Sequence, residues 1–355
     1  VDKISFAVTG MNATDNPAPG IAVIRAIRED KNWQGKAIGL AYDALDTGVY
    51  DPLLCDRVFM IPYAAEGEKA LLARLQYIQE VEPFEVLVPT LDAELVNFIR
   101  LRHELEPMGI RMLVPTEEVL AMRSKAKLGE FARDNDIPFP LSLSVLTPEM
   151  LPDAMNQLGV PFVVKGCYYE AAICHTIEQA RAAYFSIANR WGLPIVAQAY
   201  MPGEEYDICA LGDADGKLNG AVAMRKLRLT DKGKAWAGIT IQDEELLELS
   251  RRVVEGLSWT GPMEIEFIRS ARDHRFYLFE INPRFPAWCY LTAGCGLNLP
   301  ARYLRLAMGA KVAPSLKYTA GTVFVRHATD VICSLDILEG LTTRGEISRE
   351  TGGRK

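Results

Sequence analysis

Apolar and polar positions alternate in two rhythms along the first third of the chain. Short apolar runs at 4–9 (ISFAVT), 37–42 (AIGLAY), 57–62 (RVFMIP), 84–89 (FEVLVP) and 110–115 (IRMLVP) predict strands. Between the first two, Ile21, Ile24 and Ile27 fall three apart, which predicts a helix over 21–29. Further helices are predicted over 66–80 and 94–106. Strands that alternate with helices predict a doubly wound parallel sheet. Loops after such strands gather at the carboxyl edge of the sheet, where small ligands bind. The loop from Gly10 to Gly20 is one of these, and substrate contact and a structural turn are both open for it.

The rhythm changes after residue 115. A polar helix is predicted over 125–135, followed by Ile137-Pro138-Phe139-Pro140. A strand over 160–165 leads into an irregular loop and a helix over 177–190. Strands are then predicted over 195–201, 204–211 and 218–227, the last two joined by a turn at Asp213 to Lys217. A helix over 242–257, a strand pair within 263–282, helical signals near 299–309 and a strand over 321–328 complete the pattern. Residues 350–355 read as a frayed tail.

Composition narrows the function classes. Of 355 residues, 49% are hydrophobic and 24% charged, which excludes a disordered chain. No apolar run is long enough to cross a bilayer, and Asp2 and Lys3 at the start do not suit a signal peptide, so no membrane partner is expected. A net charge of −7 gives no broad basic surface and argues against nucleic acid as a partner. Seven cysteines form no CxxC pair, which argues against a disulfide framework or zinc ribbon and favours a cytoplasmic setting. The four histidines show no HExxH spacing.

The sharpest chemical signal runs from Gly261 to Phe285, GPMEIEFIRSARDHRFYLFEINPRF. Two β-patterned arms flank a polar turn at Ser270 to His274. If they pair about residue 273, Glu266 faces Glu280 and Glu264 faces Asn282. Alternation then puts all four on one face, with Ile265, Phe267, Phe279 and Ile281 on the other. Like charges directly opposite repel. Three carboxylates beside an amide therefore call for a cation, and an all-oxygen set favours Mg²⁺ with phosphate oxygens and water completing the shell. Pro283 ends the ladder and Arg284 brings a guanidinium beside the same place, which suits a polyphosphate or acyl phosphate. The competing reading is a solvated hairpin face.

The Glu-Ile-Asn-Pro-Arg run after a strand pair resembles the metal-binding signature of the ATP-grasp superfamily, in particular its carbamoyl-phosphate synthetase large-subunit-like members. The resemblance covers nearly the whole chain. Residues 1–115 resemble a Rossmann-like pre-ATP-grasp domain, 116–190 the first ATP-grasp subdomain, and 191–355 the second with a tail. The implied fold is α/β, two α+β subdomains sandwiching ATP. Ser124-Lys125 resembles the segment with the first phosphate lysine, Lys127 being the alternative, and Val163-Val164-Lys165 the strand with the second. Ala197 to Glu205 resembles the adenine hinge and the ribose carboxylate. Two departures stand out: the loop Gly166-Cys167-Tyr168-Tyr169-Glu170-Ala171-Ala172 is poor in glycine where a Gly/Ser-rich flap is usual, and Gln198 stands where many members carry an acid. Tyr168 and Tyr169 could serve as a lid.

The resemblance implies these roles. Lys125 and Lys165 hold nucleotide phosphates. Gln198, Ala199, Tyr200 and Met201 line the adenine, with backbone amides reading its edge, and Glu205 accepts from the ribose. Glu266, Glu280 and Asn282 hold Mg²⁺, with Mn²⁺ as a substitute. Arg284 faces the transferred phosphate, and Arg225 the substrate or acyl phosphate, while its basic neighbours form a solvated face. The implied activity is ATP-dependent carboxylate–amine ligation through an acyl phosphate, with a small acid and an amine as substrates. Carbamoyl- or carboxy-phosphate formation from bicarbonate and a non-catalytic nucleotide-binding module are the alternatives. A homodimer is in keeping with the fold.

Overall fold

The computed structural model describes residues 2–14, 17–167, 170–230 and 233–349. Among these, strands gather into three sheets. The first contains β1 (Phe6–Val8), β2 (Ala37–Ala41), β3 (Arg57–Met60) and β4 (Val86–Val88), all parallel and in the spatial order β3-β2-β1-β4. Each strand is buried on both faces. Phe6, Val8, Ala37, Val58 and Val86 pack with Ile21, Ile24 and Ile27 of the helix Gly20–Arg28 on one side. Ala7, Ile38, Leu40 and Phe59 pack with Leu71, Leu75 and Ile78 of the helix Glu68–Val81 on the other. The near-continuous apolar runs of these strands follow from that double cover.

A four-stranded antiparallel sheet follows, made of β5 (Ser142–Val145), β6 (Phe162–Lys165), β7 (Ala171–Cys174) and β8 (Ile195–Ala199), in the order β5-β8-β6-β7. The expected division at residue 190 falls short of this sheet, because β8 lies in its interior. Helix Ile177–Trp191 covers one face through Ala180, Tyr184 and Ile187.

The third sheet is antiparallel, with β9 (Gly203–Gly212), β10 (Leu218–Leu229), β11 (Ala235–Ile241), β12 (Gly261–Ser270), β13 (Phe276–Asn282) and β14 (Val323–Val325). Its order is β13-β12-β9-β10-β11-β14. Helix Glu244–Gly256 is capped by Asp243, whose side chain accepts from the Leu246 amide. It lays Leu246, Leu249, Val253 and Val254 against Ile208, Ile265, Phe267 and Leu278. Burial of each of these side chains stabilises the layer by roughly 1.5–3 kcal/mol.

One expected strand does not form. Residues 110–115 form no strand; Arg111 makes one isolated bridge to Val86. The chain also returns to its beginning: β15 (Glu346–Ser348) pairs antiparallel with β3 and closes that edge of the first sheet. Arg74 donates to the Gly345 carbonyl at 2.8 Å, and Arg57 pairs with Glu346 at 3.2 Å. Residues 350–355 lie outside the described residues.

Candidate active site

The hairpin of β12 and β13 sets the site. Its register pairs Glu264 with Asn282 and Glu266 with Glu280, as alternation about residue 273 predicts. The pattern then slips by one: Phe267 pairs with Leu278, so Phe279 is an extra residue on β13. Such a bulge re-aims the side chain at the irregular position. Leu278 takes the core place beside Phe267 that was expected for Phe279. The Phe279 ring instead carries the Lys165 ammonium, 3.6 Å from its centroid.

The two lysines reach this face from separate elements. Lys125 opens the helix Lys125–Asp134, and its backbone amide is fixed by the Cys167 carbonyl at 3.0 Å. Its ammonium lies 3.3 Å from Glu280. Lys165 ends β6, is almost fully buried, and donates to Gln198 Oε1 at 2.7 Å. Burial and the Lys125 charge pull the Lys165 ammonium down to about 7, against the opposing pull of Glu280 and Glu266. Burial pushes Glu280 upward, although Lys125 opposes it.

A second knot of charge lies beside the first. Lys226 is 3.0 Å from Glu205, 3.1 Å from Asp207 and 3.0 Å from Glu266. Burial would depress this ammonium, but Glu266, Asp207 and Glu205 hold it well above its ordinary range. Burial alone would lift Glu266; Lys226 and Arg284 hold it below the usual carboxylate value. Burial dominates at Asp207 and raises it well above.

Arg284 is clamped from two directions. Glu264 accepts from it at 2.9 Å, and Asp92 lies 3.2 Å away on the loop after β4. Glu264 also accepts from Trp288 Nε1 at 2.9 Å and from Asn282 Nδ2 at 3.1 Å. Asn282 Nδ2 donates to Glu266 at 2.9 Å as well. Lys234 points toward the same place. Burial and Arg284 lower its pKa, against the pull of Glu264 and Asp92.

The structure therefore brings Lys125, Lys165, Glu205, Glu266, Glu280, Asn282 and Arg284 together. It does not bring Arg225. That residue pairs with Tyr206 in the ladder, one step out of phase with Asp207 and Lys226, and its side chain turns to Glu204 at 3.2 Å. Lys226, expected on a solvated face, is the buried one. The segment expected as the adenine hinge also differs in detail. The Gln198 side chain accepts from Lys165 through Oε1 and donates to Ser142 Oγ through Nε2, and the Ala199 backbone N–H donates to the Leu141 carbonyl at 2.8 Å. The Ala199 backbone amide, expected to read the base edge, is therefore already engaged within the protein. Tyr168 and Tyr169 lie outside the described residues, as do Asp15 and Asn16 of the first loop.

The oxygen set suits a divalent cation. Glu266 and Glu280 are directly cross-strand, and the Asn282 amide nitrogen faces carboxylates, as it must if its oxygen is to face a cation. Asp207, Glu264 and Glu266 also approach one another within 4.8 Å. Lys226 and Arg284 supply two positive charges to that trio. Asp207, Lys226, Asp92 and Lys234 were missed from the sequence. Asp207 had a signal, since it lies two positions beyond Glu205 on the same strand face.

Comparison with known proteins agrees with this architecture. Residues 193–331 match the family described as ATP-grasp in the biosynthetic pathway with Ter operon. Over 241 residues, or 64% of this chain, it is 23% identical to the arginine-specific large chain of carbamoyl phosphate synthase from Halalkalibacterium halodurans. Over 288 residues, or 76% of this chain, it is 23% identical to the large chain from Agathobacter rectalis. The alignments span 22% and 25% of those relatives' lengths. The biotin carboxylase domain of the Hydrogenobacter thermophilus 2-oxoglutarate carboxylase, solved as a dimer with MgADP, ADP and bicarbonate, superposes with a TM-score of 0.68 at 17% identity. That match covers 89% of this chain and 72% of the other. N5-carboxyaminoimidazole synthetase from Staphylococcus aureus superposes with a TM-score of 0.66 at 14% identity, over 89% and 80% of the two chains. The chain thus has the fold of ATP-grasp proteins, matches an ATP-grasp family over residues 193–331, and is similar to carbamoyl phosphate synthase large chains.

Proposed function

We propose that the protein is an ATP-dependent ligase that joins a small carboxylic acid to an amine through an acyl phosphate, releasing ADP and phosphate. The observation that carries this reading is the meeting of Lys125 and Lys165 with Glu266, Glu280 and Asn282 between the small and large sheets. In this reading the first sheet is a pre-ATP-grasp domain, and the other two are the ATP-grasp subdomains, joined after Ala199. Tyr200 and Met201 line the adenine, and Glu205 accepts from the ribose.

Glu266, Glu280 and Asn282 would hold Mg²⁺, which supplies charge neutralisation between phosphate oxygens. Lys125 and Lys165 orient the triphosphate and neutralise its charge. The substrate carboxylate attacks the γ-phosphorus, the β–γ bridge breaks, and Arg284 meets the charge on the transferred group. The amine then displaces phosphate from the acyl carbon. Positioning and electrostatics supply the rate, and no side-chain nucleophile is required.

Carboxy-phosphate formation from bicarbonate is the second reading, favoured by the bicarbonate in the biotin carboxylase domain and by the carbamoyl phosphate synthase relatives. A screen of small acids and amines for ADP release, with product mass, separates the two. Amide products with loss of water support ligation; bicarbonate-stimulated release without an added organic acid supports the second. No nucleotide turnover with any acid would overturn both and favour a regulatory module. A cytoplasmic setting is part of the proposal, motivated by seven free cysteines, as is a homodimer, checked by light scattering. Among the described residues, no helix is long and apolar enough to cross a membrane.

A further inference from the structure

One carboxylate of the first sheet touches two segments of the site. Asp92 Oδ1 lies 3.2 Å from Arg284 Nε, and Asp92 Oδ2 lies 3.2 Å from Arg123 NH1. Arg123 is two residues before Lys125, and the Lys125 ammonium lies 3.3 Å from Glu280, four residues before Arg284. The contacts therefore close a ring: Asp92 to Arg123, along the backbone to Lys125, across to Glu280, along β13 to Arg284, and back to Asp92. All five side chains are largely withdrawn from water, with Asp92, Arg123 and Arg284 at 15%, 10% and 14% exposure.

The base of Asp92 is braced. It begins a tight turn, Asp92–Glu94, after β4. The buried Glu94 carboxylate accepts from the amides of Thr90 at 2.9 Å and Leu91 at 3.0 Å, and from the hydroxyls of Thr9 and Tyr42. Glu94 thus ties the ends of β1, β2 and β4 to the loop that presents Asp92. A surface aspartate on a loose loop would swing with its arginine; this one has a fixed origin.

We infer that Asp92 is a positioning residue, through which the first sheet fixes both Arg284 and the Arg123–Lys125 segment in the geometry needed for the transferred phosphate. Glu264 alone leaves Arg284 held from within its own sheet. Asp92 adds a second direction and links it to the phosphate lysine. The inference rests on the reading of Arg284 as the residue facing that phosphate.

The test uses the full chain as Asp92→Asn and Asp92→Glu, each checked for folding by near-ultraviolet circular dichroism. Two readouts are needed. One is the Arg284 Nε–H signal in protein labelled with ¹⁵N-arginine, identified by its loss in Arg284→Lys. The other is calorimetric affinity for MgADP with and without aluminium fluoride, which stands in for the transferred phosphoryl group. In Asp92→Asn we expect loss of the protected Arg284 signal. We also expect affinity for MgADP–aluminium fluoride to fall by about tenfold to a hundredfold, with MgADP alone changed by less than about twofold. Asp92→Glu should recover part of both. An unchanged Arg284 signal, unchanged aluminium fluoride affinity, or an equal loss for MgADP with and without aluminium fluoride in folded Asp92→Asn would each overturn the inference. Failure of the wild-type protein to bind MgADP would instead sink the nucleotide reading, and the Arg284 signal alone would then decide whether Asp92 holds the guanidinium. Should Asp92→Asn not fold, Asp92→Glu carries both readouts: an Arg284 signal and an aluminium fluoride affinity both unaltered by the lengthened side chain would overturn the inference.

Discussion

The ammonium of Lys165 lies 3.6 Å above the centre of the Phe279 ring, a contact that exists because β13 carries one residue more than its partner strand at that point. A desolvated ammonium over an aromatic face gains about 2 kcal/mol or more. Lys165 otherwise donates to a neutral amide, with a second lysine nearby and Glu280 and Glu266 as counter-charges. We expect Phe279→Leu to keep the core, since the side chain is not part of it, and to weaken ATP binding severalfold while leaving adenosine binding intact. Equal affinities of wild type and variant for ATP in calorimetry would show that the ring does not hold the lysine.

The same lysine sets a pH dependence. Its folded pKa, near 7, is below the unfolded value of 10.5. Between those values the unfolded chain binds a proton that the folded chain does not, so this group makes stability rise with pH across that window. Phosphate beside the ammonium favours the charged form. We therefore expect MgATP binding at pH 8 to take up protons, measured by calorimetry in buffers of different ionisation enthalpy. Lys165→Ala should abolish that uptake and weaken ATP far more than AMP. A wild-type uptake of zero at pH 8 would contradict the assignment.

Glu280→Gln should leave a folded protein, because the amide oxygen can still accept from Lys125 and burial already disfavours the carboxylate charge. It removes one charge from the cation set. ADP release should fall by more than about a hundredfold at ordinary Mg²⁺. Near-normal release would move the metal elsewhere.

Lys226 and Arg225 separate by consequence. Lys226→Met removes the ammonium from the buried Asp207 and Glu266 and should cost about 3–5 kcal/mol in denaturant unfolding. Part of the loss should be regained as pH falls and the carboxylates take up protons. Arg225→Ala breaks an exposed pair and should cost less than about 1 kcal/mol, with turnover essentially kept. Similar losses for the two variants would mean that the sheet faces are misassigned.

Much of the site was legible because strands impose a period of two. That rule alone put Glu264, Glu266, Glu280 and Asn282 on one face, and the ladder agrees. The same rule failed at Phe279, since a bulge leaves no mark in a run such as Phe276 to Asn282. Arg225 and Lys226 are adjacent cations, and only their register against Tyr206 and Asp207 tells which one is buried. Asp92 meets Arg284 across 192 positions of sequence, and no local pattern carries that contact. β15 has three residues, too few for an alternation to be read.

The placement of β15 bears on how the chain comes to be folded as it leaves the ribosome. β3 (Arg57–Met60) precedes its partner β15 by almost 300 residues, and its outer edge stays open until residues 346–348 emerge. An open strand edge is a template for pairing with other chains. The first sheet is thus begun before the other two and sealed after them, so that its closure reports on completion of everything between. A ribosome stalled before residue 346 should display a nascent first sheet that captures β-prone peptides and is cut readily by protease near β3, and emergence of residues 346–348 should end both behaviours.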